Sequence, residues 1–178
     1  MTSRFPRYGS SFGSARHNSN SGAANKQIQF YNTELERLVE ERTAQIVATQ
    51  NVAVFALAQL AESRDSDAGE HLVRIRTYSQ ILANWLGENG VYADQIDEQF
   101  LADLYRSSPL HDVGKVGIAD SILLKPGRLM PSEFELVKQH VVIGAETLER
   151  AARHNGGGQF LTMAAEIARY HHEWFDSS

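Results

Sequence analysis

Histidine and aspartate residues that could bind metal ions recur between residues 71 and 172 of this 178-residue chain. Neutral imidazole and carboxylate are ligands suited to Fe, Mn, Ni or Zn, and four separate segments contribute them here. The chain contains no cysteine, so a thiolate zinc site and a disulfide framework are both excluded. The series therefore predicts a centre of two or more ions held by nitrogen and oxygen. Its members are His71, His111, Asp112, His140, His171 and His172.

Two neighbouring pairs within this series can each serve adjacent ions. Asp112 has two carboxylate oxygens, which makes it the natural bridge between two metals. We expect His171 and His172 to lie about 100° apart on one helix, each facing a different ion. His17 and His154 do not fit the pattern, and neither is assigned to the site.

Charge is divided unevenly along the chain, whose formal net charge is −5. Residues 1–26 carry four basic residues and no acid, and the remainder is correspondingly acidic. An acidic body argues against general nucleic-acid binding by the folded part. Binding an anionic phosphate ester there would need local cations, from metals and from Lys115, Lys125 or Arg128.

The amino-terminal segments predict a tail followed by a helical linker. Residues 1–26 are rich in Ser, Gly and Asn, which predicts a disordered tail; a basic arm that contacts nucleic acid or membrane is the alternative. Residues 27–63 are assigned to a signalling linker, with one long helix from about Thr33 to Ser63. Thr33 and Glu36 fit a capping box at its start.

The linker helix has an imperfect heptad pattern, interrupted by Arg42 at a seam position. This pattern favours a dimeric coiled coil through residues 33–63, and a solvated helical extension is the alternative. The stretch from Val52 to Ala61 is apolar on most faces and should pack into the domain that follows.

Downstream, apolar residues recur at helical spacing and no alternating strand pattern is found, so the predicted fold is an all-α bundle. No apolar run approaches the roughly 20 residues of a membrane span. No secretory signal is recognised, so the expected location is the cytoplasm. The predicted helices are His71 to Trp85, Asp97 to Arg106, a short turn at Ala119–Leu124, Pro131 to Ala152 and Leu161 to Glu173.

Short residue blocks that include the histidine series follow one another over roughly residues 60–176. They are Arg64-Asp65, Gly69-Glu70-His71, Arg74, Pro109-Leu110-His111-Asp112-Val113-Gly114-Lys115, Ile118-Ala119-Asp120, Lys125-Pro126-Gly127, Lys138, His140, Gly144 and His171-His172-Glu173. In these blocks and their order, the chain resembles the HD superfamily of metal-dependent phosphohydrolases, and within it the HD-GYP family of cyclic di-GMP phosphodiesterases.

The resemblance implies that all six members of the series are metal ligands for two divalent transition metal ions, with Fe or Mn favoured. Asp67 stands where some family members have a glutamate that supports a third ion, which leaves a third ion open. Lys115 would contact the scissile phosphate and assist the leaving oxygen. The alternative for Lys115 is an ion pair with a neighbouring carboxylate. The implied reaction opens cyclic di-GMP to pGpG and then to GMP.

The match stops at Ser178, where the family's Gly-Tyr-Pro triplet should begin. Residues 64–178 are therefore expected to form a partial HD-GYP domain without its carboxy-terminal helices, either a fragment or a truncated product, with weak or absent activity. The resemblance also implies a response regulator of a two-component system, with a receiver, sensor or diguanylate cyclase domain upstream. Two other functions stay open: an HD hydrolase of another nucleotide, and a non-catalytic, dimerising metal-binding module.

Overall fold

The structure, a computed structural model, describes residues 14–63, 68–90, 92–154 and 158–174. Within these ranges the secondary structure is helical and contains no strand, which confirms the predicted all-α fold. Two short 3-10 helices, Ser108–Leu110 and Val113–Gly117, flank His111 and Asp112. The α-helices are α1 (Ser14–Glu62), α2 (Ala68–Glu88), α3 (Glu98–Ser107), α4 (Asp120–Leu123), α5 (Pro131–His154) and α6 (Gln159–Tyr170).

Helix α1 begins well before the predicted start. Residues 14–26, predicted to belong to a disordered tail, are helical, and residues 1–13 lie outside the described part. Thr33 is not an N-cap: it lies inside the helix, and its hydroxyl donates to the carbonyl of Gln29 at 3.1 Å. Extending an existing helix costs far less than nucleating one, so a polar segment can continue the downstream helix.

The chain divides into two units, 1–48 and 49–178. In the first unit, α1 carries a ladder of charged pairs in which Arg37 contacts both Glu34 and Glu41. The same stretch exposes large apolar side chains that have no core to enter. These side chains are Ile28, Phe30, Tyr31, Leu35, Leu38, Val39, Ile46 and Val47.

The part of α1 from Gly22 to Glu62 is long and apolar enough to cross a membrane, judged by length and composition alone. Its most apolar 18-residue window has a mean hydropathy of 1.3 and is 11% buried. Soluble helices and signal sequences pass the same test, so the absence of a membrane span stays a prediction.

The second unit has a small core in which alanine is frequent. Its buried members are Ala58, Leu72, Leu110, Leu148, Ala164, Ala165 and Ala168. The guanidinium carbon of Arg76 on α2 lies 4.6 Å from the ring centroid of Phe55 on α1 and 4.1 Å from that of Tyr105 on α3. These cation–π contacts connect the three helices.

The stretch from Val52 to Ala61 packs into the domain, as predicted, and it does so by one face although it is apolar on most faces. Ala58 and Ala61 are buried, whereas Val52 is 70% exposed and Leu60 is 67% exposed. A helix that lies on a bundle buries one stripe, and an apolar residue outside that stripe remains at the surface.

Local signals set several helix boundaries. The carboxylate of Asp97 accepts a hydrogen bond from the backbone N–H of Phe100 at 2.7 Å and caps α3. Pro131 is the first residue of α5, as predicted. Helix α6 ends at Tyr170 instead of Glu173, so His171 and His172 lie in the turn that follows it and not on the helix.

Glycine brings the His111-Asp112 turn against α5. A β-carbon at Gly114 would lie 1.9 Å from the carbonyl oxygen of His140 and 2.6 Å from the backbone nitrogen of Gly144. No side chain fits at these distances. The paired glycines therefore let the backbone of the 3-10 turn approach the helix that carries His140.

Candidate metal centre

The structure brings all six residues of the predicted series into one cluster. The ring centroids of His71 and His111 are 5.6 Å apart, and those of His111 and His171 are 5.2 Å apart. The His140 ring lies 5.4 Å from that of His171 and 5.2 Å from that of His172. Ligand atoms from α2, α5, the turn between the 3-10 helices and the end of α6 thus converge.

Three of the imidazoles are oriented by the backbone of their own segment. The Nδ1 atoms of His111, His140 and His171 lie 3.1, 2.6 and 3.0 Å from carbonyl oxygens three residues earlier. A carbonyl only accepts, so Nδ1 carries a proton, and in the neutral ring Nε2 keeps its lone pair for a metal ion. This is how metal-binding histidines are commonly held.

Asp112 lies at the centre of the cluster, with its two oxygens facing different histidines. Oδ1 is 3.2 Å from Nε2 of His140 and 3.5 Å from Nε2 of His171. Oδ2 is 3.2 Å from Nε2 of His111 and 2.8 Å from Nζ of Lys115. Asp112 thus faces histidines on both sides, and its role as a bridge between two ions stays a prediction.

The ligand atoms form two groups in the described part of the chain. One consists of Asp112, His140, His171 and His172. The other consists of His71, His111 and Glu62, and in each group the ligand atoms lie within 4.8 Å of one another. Imidazole and carboxylate donors in such groups fit divalent transition metal ions.

Sequence reasoning missed Glu62. It ends α1, nine residues before His71, where a glutamate is ordinarily read as a solvated helix-end residue. In the structure it is only 3% exposed. The burial of this glutamate results from tertiary packing, which a single sequence does not reveal.

Asp67, predicted as a support for a third ion, lies outside the described residues.

Lys115 makes the ion pair that was its alternative interpretation, since its ammonium contacts Asp112. Lys125, considered as a cation for a phosphate ester, is engaged elsewhere. Its ammonium lies 2.8 and 2.7 Å from the two carboxylate oxygens of Glu133. Glu133 also accepts from the backbone N–H of Met130, so this pair fastens the loop that precedes α5.

Burial and neighbouring charged groups shift the pKa values of the two buried carboxylates, Glu62 and Asp112, in opposite directions. Burial raises the pKa of Glu62, and the neighbouring His111 and His71 only partly oppose that rise. Burial also acts to raise the pKa of Asp112, but three histidines and Lys115 lower it well below its usual range. Asp112 is therefore ionised at neutral pH.

A cavity of about 610 Å³ opens beside the group formed by Asp112, His140, His171 and His172. Asp112, His140 and His172 form its inner wall, next to Lys115. The same cavity is lined by two exposed aromatic rings, by two cations that are each paired with a glutamate, and by Glu173. The rings and the cations are those of Phe134, Trp174, Lys138 and Arg169.

Known proteins match this chain over most of its length. A cyclic di-GMP phosphodiesterase of Vibrio cholerae is 44% identical over 140 residues, which are 79% of this chain and 28% of that protein. A cyclic di-GMP phosphodiesterase of Thermotoga maritima is 40% identical over 122 residues, 68% of this chain and 30% of that protein. The 3'3'-cGAMP-specific phosphodiesterase 2 of Vibrio cholerae is 39% identical over 130 residues, 73% of this chain and 22% of that protein.

The chain thus spans less than a third of the length of these relatives. A family model for the HD domain matches residues 68–178, which include every member of the predicted series. The HD family is metal-dependent, in agreement with the two groups of ligand atoms. The resemblance found in the sequence is confirmed, and the chain belongs to the HD domain family.

Proposed function

We propose that this chain is the HD portion of an HD-GYP phosphohydrolase that hydrolyses the 3'–5' phosphodiester of cyclic di-GMP. The observation that carries the proposal is the position of Asp112. Its oxygens face two groups of metal-binding side chains, and the same residue lines the cavity. Similarity to relatives named cyclic di-GMP phosphodiesterase supports the choice of substrate.

In the proposed centre, Asp112, His140, His171 and His172 would hold one divalent ion, and His71 and His111 would hold a second, with Fe or Mn favoured. Asp112 would be shared between the two. Two such ions, when bound, lower the pKa of water and stabilise negative charge on the phosphoryl oxygens. A count of the metal ions bound to the purified chain decides whether a third ion binds near Asp67.

The residues of the cavity bind and orient the substrate in this proposal. The scissile phosphate of cyclic di-GMP lies beside Asp112 and the histidines, and the guanine bases lie toward Phe134 and Trp174. Lys115 exchanges its ion pair with Asp112 for a phosphate oxygen and donates a hydrogen bond to the leaving 3' oxygen. Water adds to phosphorus and the P–O3' bond breaks, which yields linear pGpG with a free 3' hydroxyl. A second hydrolysis yields GMP.

Hydrolysis of cyclic di-GMP by the purified chain in Mn(II) or Fe(II) tests this proposal. The matched variants are Asp112→Asn, which keeps the shape of the side chain, and Asp94→Asn at an exposed position. We expect Asp112→Asn to lose at least about 100-fold of the turnover that the wild-type chain shows and Asp94→Asn to retain it. Equal and measurable turnover in both variants would exclude Asp112 from the chemistry.

A second candidate substrate is another cyclic dinucleotide, because one relative is named for 3'3'-cGAMP. The two substrates share the phosphodiester ring and differ in one base, so discrimination falls to the rings that line the cavity. A panel of cyclic dinucleotides and nucleoside phosphates separates them: the substrate with the higher kcat/KM is assigned to the site.

A third candidate is a non-catalytic module that dimerises through helix 33–63 and binds metal only. The exposed apolar residues of α1 favour dimerisation in each of the three candidates. For the hydrolase we further propose a cytoplasmic homodimer that serves as the output of a response regulator, with a receiver, sensor or diguanylate cyclase domain upstream. Metal binding without turnover of any nucleotide would favour the non-catalytic module.

A further inference from the structure

Glu62 is a buried carboxylate without a hydrogen-bond partner. It occupies the last turn of α1, its side chain is 4% exposed, and neither of its oxygens has a hydrogen-bond partner among the described residues. An unpaired charge removed from water is unfavourable, so such a group is retained where a cation neutralises it or where it takes up a proton.

The nearest polar atoms are ring nitrogens that face the same point. Oε1 of Glu62 lies 3.9 Å from Nε2 of His71 and 3.8 Å from Nε2 of His111. These separations are too long for hydrogen bonds, which are about 2.7–3.2 Å. They suit ligands of one ion, because two donors that each lie about 2.0–2.2 Å from a metal are about 3–4 Å apart.

The donor set also has a recognisable chemistry. Two imidazoles and one carboxylate on one side of an ion, with open positions opposite, suit a divalent ion such as Fe(II). Asp112 is adjacent, since its Oδ2 lies 3.2 Å from Nε2 of His111, and it can link this ion to the neighbouring group.

We infer that Glu62 is a metal ligand, which completes a subsite with His71 and His111 beside the Asp112–His140–His171–His172 subsite. The inference rests on the metal centre of the proposed function but not on its substrate. Because Glu62 belongs to α1, the linker helix itself supplies a ligand, and this subsite alone depends on the position of the last turn of α1.

The test measures metal content and affinity in Glu62→Gln, Glu62→Asp and a control, Glu70→Gln, whose side chain is 94% exposed. Each purified chain is titrated with Mn(II) by calorimetry, and bound metal is counted after removal of excess. We expect two ions in the wild type and in the control. Glu62→Gln should hold one ion at nearly wild-type affinity and bind the other at least about 10-fold more weakly.

Circular dichroism of the metal-free proteins first establishes that each variant folds. If Glu62→Gln does not fold, Glu62→Asp decides the matter, because its shorter carboxylate should weaken one ion and spare the other. Two ions bound to the folded variants with wild-type affinities would overturn the inference. Loss of an ion in Asp67→Asn, with none lost in Glu62→Gln, would also overturn it.

Nucleotide hydrolysis in the same samples keeps the two proposals separate. If Glu62→Gln loses one of two ions while the wild type hydrolyses no nucleotide, Glu62 is a ligand and the proposed function fails. If the wild type hydrolyses cyclic di-GMP and Glu62→Gln keeps both ions, the function stands and the assignment of Glu62 fails.

Discussion

The candidate metal centre and the part of α1 in the first unit both depart from the usual pattern of apolar side chains inside and polar side chains outside. The centre buries charged and polar groups, including Glu62 at 3%, His140 at 3% and Asp112 at 8% exposure. The first unit leaves apolar groups in water, including Phe30 at 67% and Leu35 at 60% exposure. Buried polar groups and contiguous exposed apolar groups are the informative departures from ordinary burial.

Each departure suits a different kind of binding partner. Converging imidazoles and carboxylates suit cations, whereas an exposed apolar helix surface suits another apolar surface. The two regions should therefore respond to different variables: the centre to metal concentration and the linker to protein concentration.

The largest expected effect compares the same substitution in the two regions. Gly114→Ala places a β-carbon against the backbone of His140 and Gly144, and we expect it to destabilise the domain by about 3 kcal/mol or more. Gly22→Ala, within α1, meets no atom within 4 Å and should stabilise the helix by about 0.5–1 kcal/mol. Urea denaturation measures both, and equal effects would mean that Gly114 does not set the approach of the two segments.

The next effect is stabilisation by metal. Free Mn(II) at about 100 times its dissociation constant should add about 2.7 kcal/mol, a rise in Tm of about 5–10 °C. Asp112→Asn should lose most of this rise, because its amide is a poorer ligand for both ions, and Asp94→Asn should retain it. Thermal melts with and without a chelator provide the measurement. A rise that persists in Asp112→Asn would place the stabilising ions elsewhere.

The helices were predictable because their signals are local, whereas one part of the centre was not. Pro131 and the cap at Asp97 mark helix starts with side chains that act within one turn. The histidines were recognised by residue type and order. Glu62 was missed because its position beside His71 and His111 is set by tertiary packing, and no residue near it in the sequence reports that approach.

The start of α1 was misplaced for a related reason. Thr33 and Glu36 have the spacing of a capping box, but the same residues are equally compatible with a helix interior when the preceding segment is helical. A cap motif predicts a start only if the chain before it leaves the helix, and the polar residues upstream of Lys26 do not force that exit.

A smaller effect is expected from the exposed face of α1. Leu35→Lys places a charge in the proposed dimer seam and should weaken self-association by about 10-fold, or about 1.4 kcal/mol. Arg42→Leu removes the polar residue from the same seam and should strengthen it. Light scattering across a concentration series reports both. Weaker self-association of Leu35→Lys together with stronger self-association of Arg42→Leu would support the coiled coil. If both variants and the wild type were monomers, the solvated helical extension would be favoured.

The smallest effect is expected at a charged pair that belongs to neither region. Glu133 accepts from Lys125 and from the backbone of Met130, and the hydrogen bond from Lys125 is the main cause that lowers the pKa of Glu133. A carboxyl group whose pKa is lowered by folding stabilises the protein above its unfolded pKa, and this stability is lost as the pH falls through the folded value. Glu133→Gln should therefore lower Tm slightly at pH 7, and the difference should vanish in acid. Partly exposed ion pairs contribute little to stability. If Glu133→Gln nevertheless lowered stability as much as Gly114→Ala, the loop before α5 would hold His140 in place, rather than the close approach of Gly114.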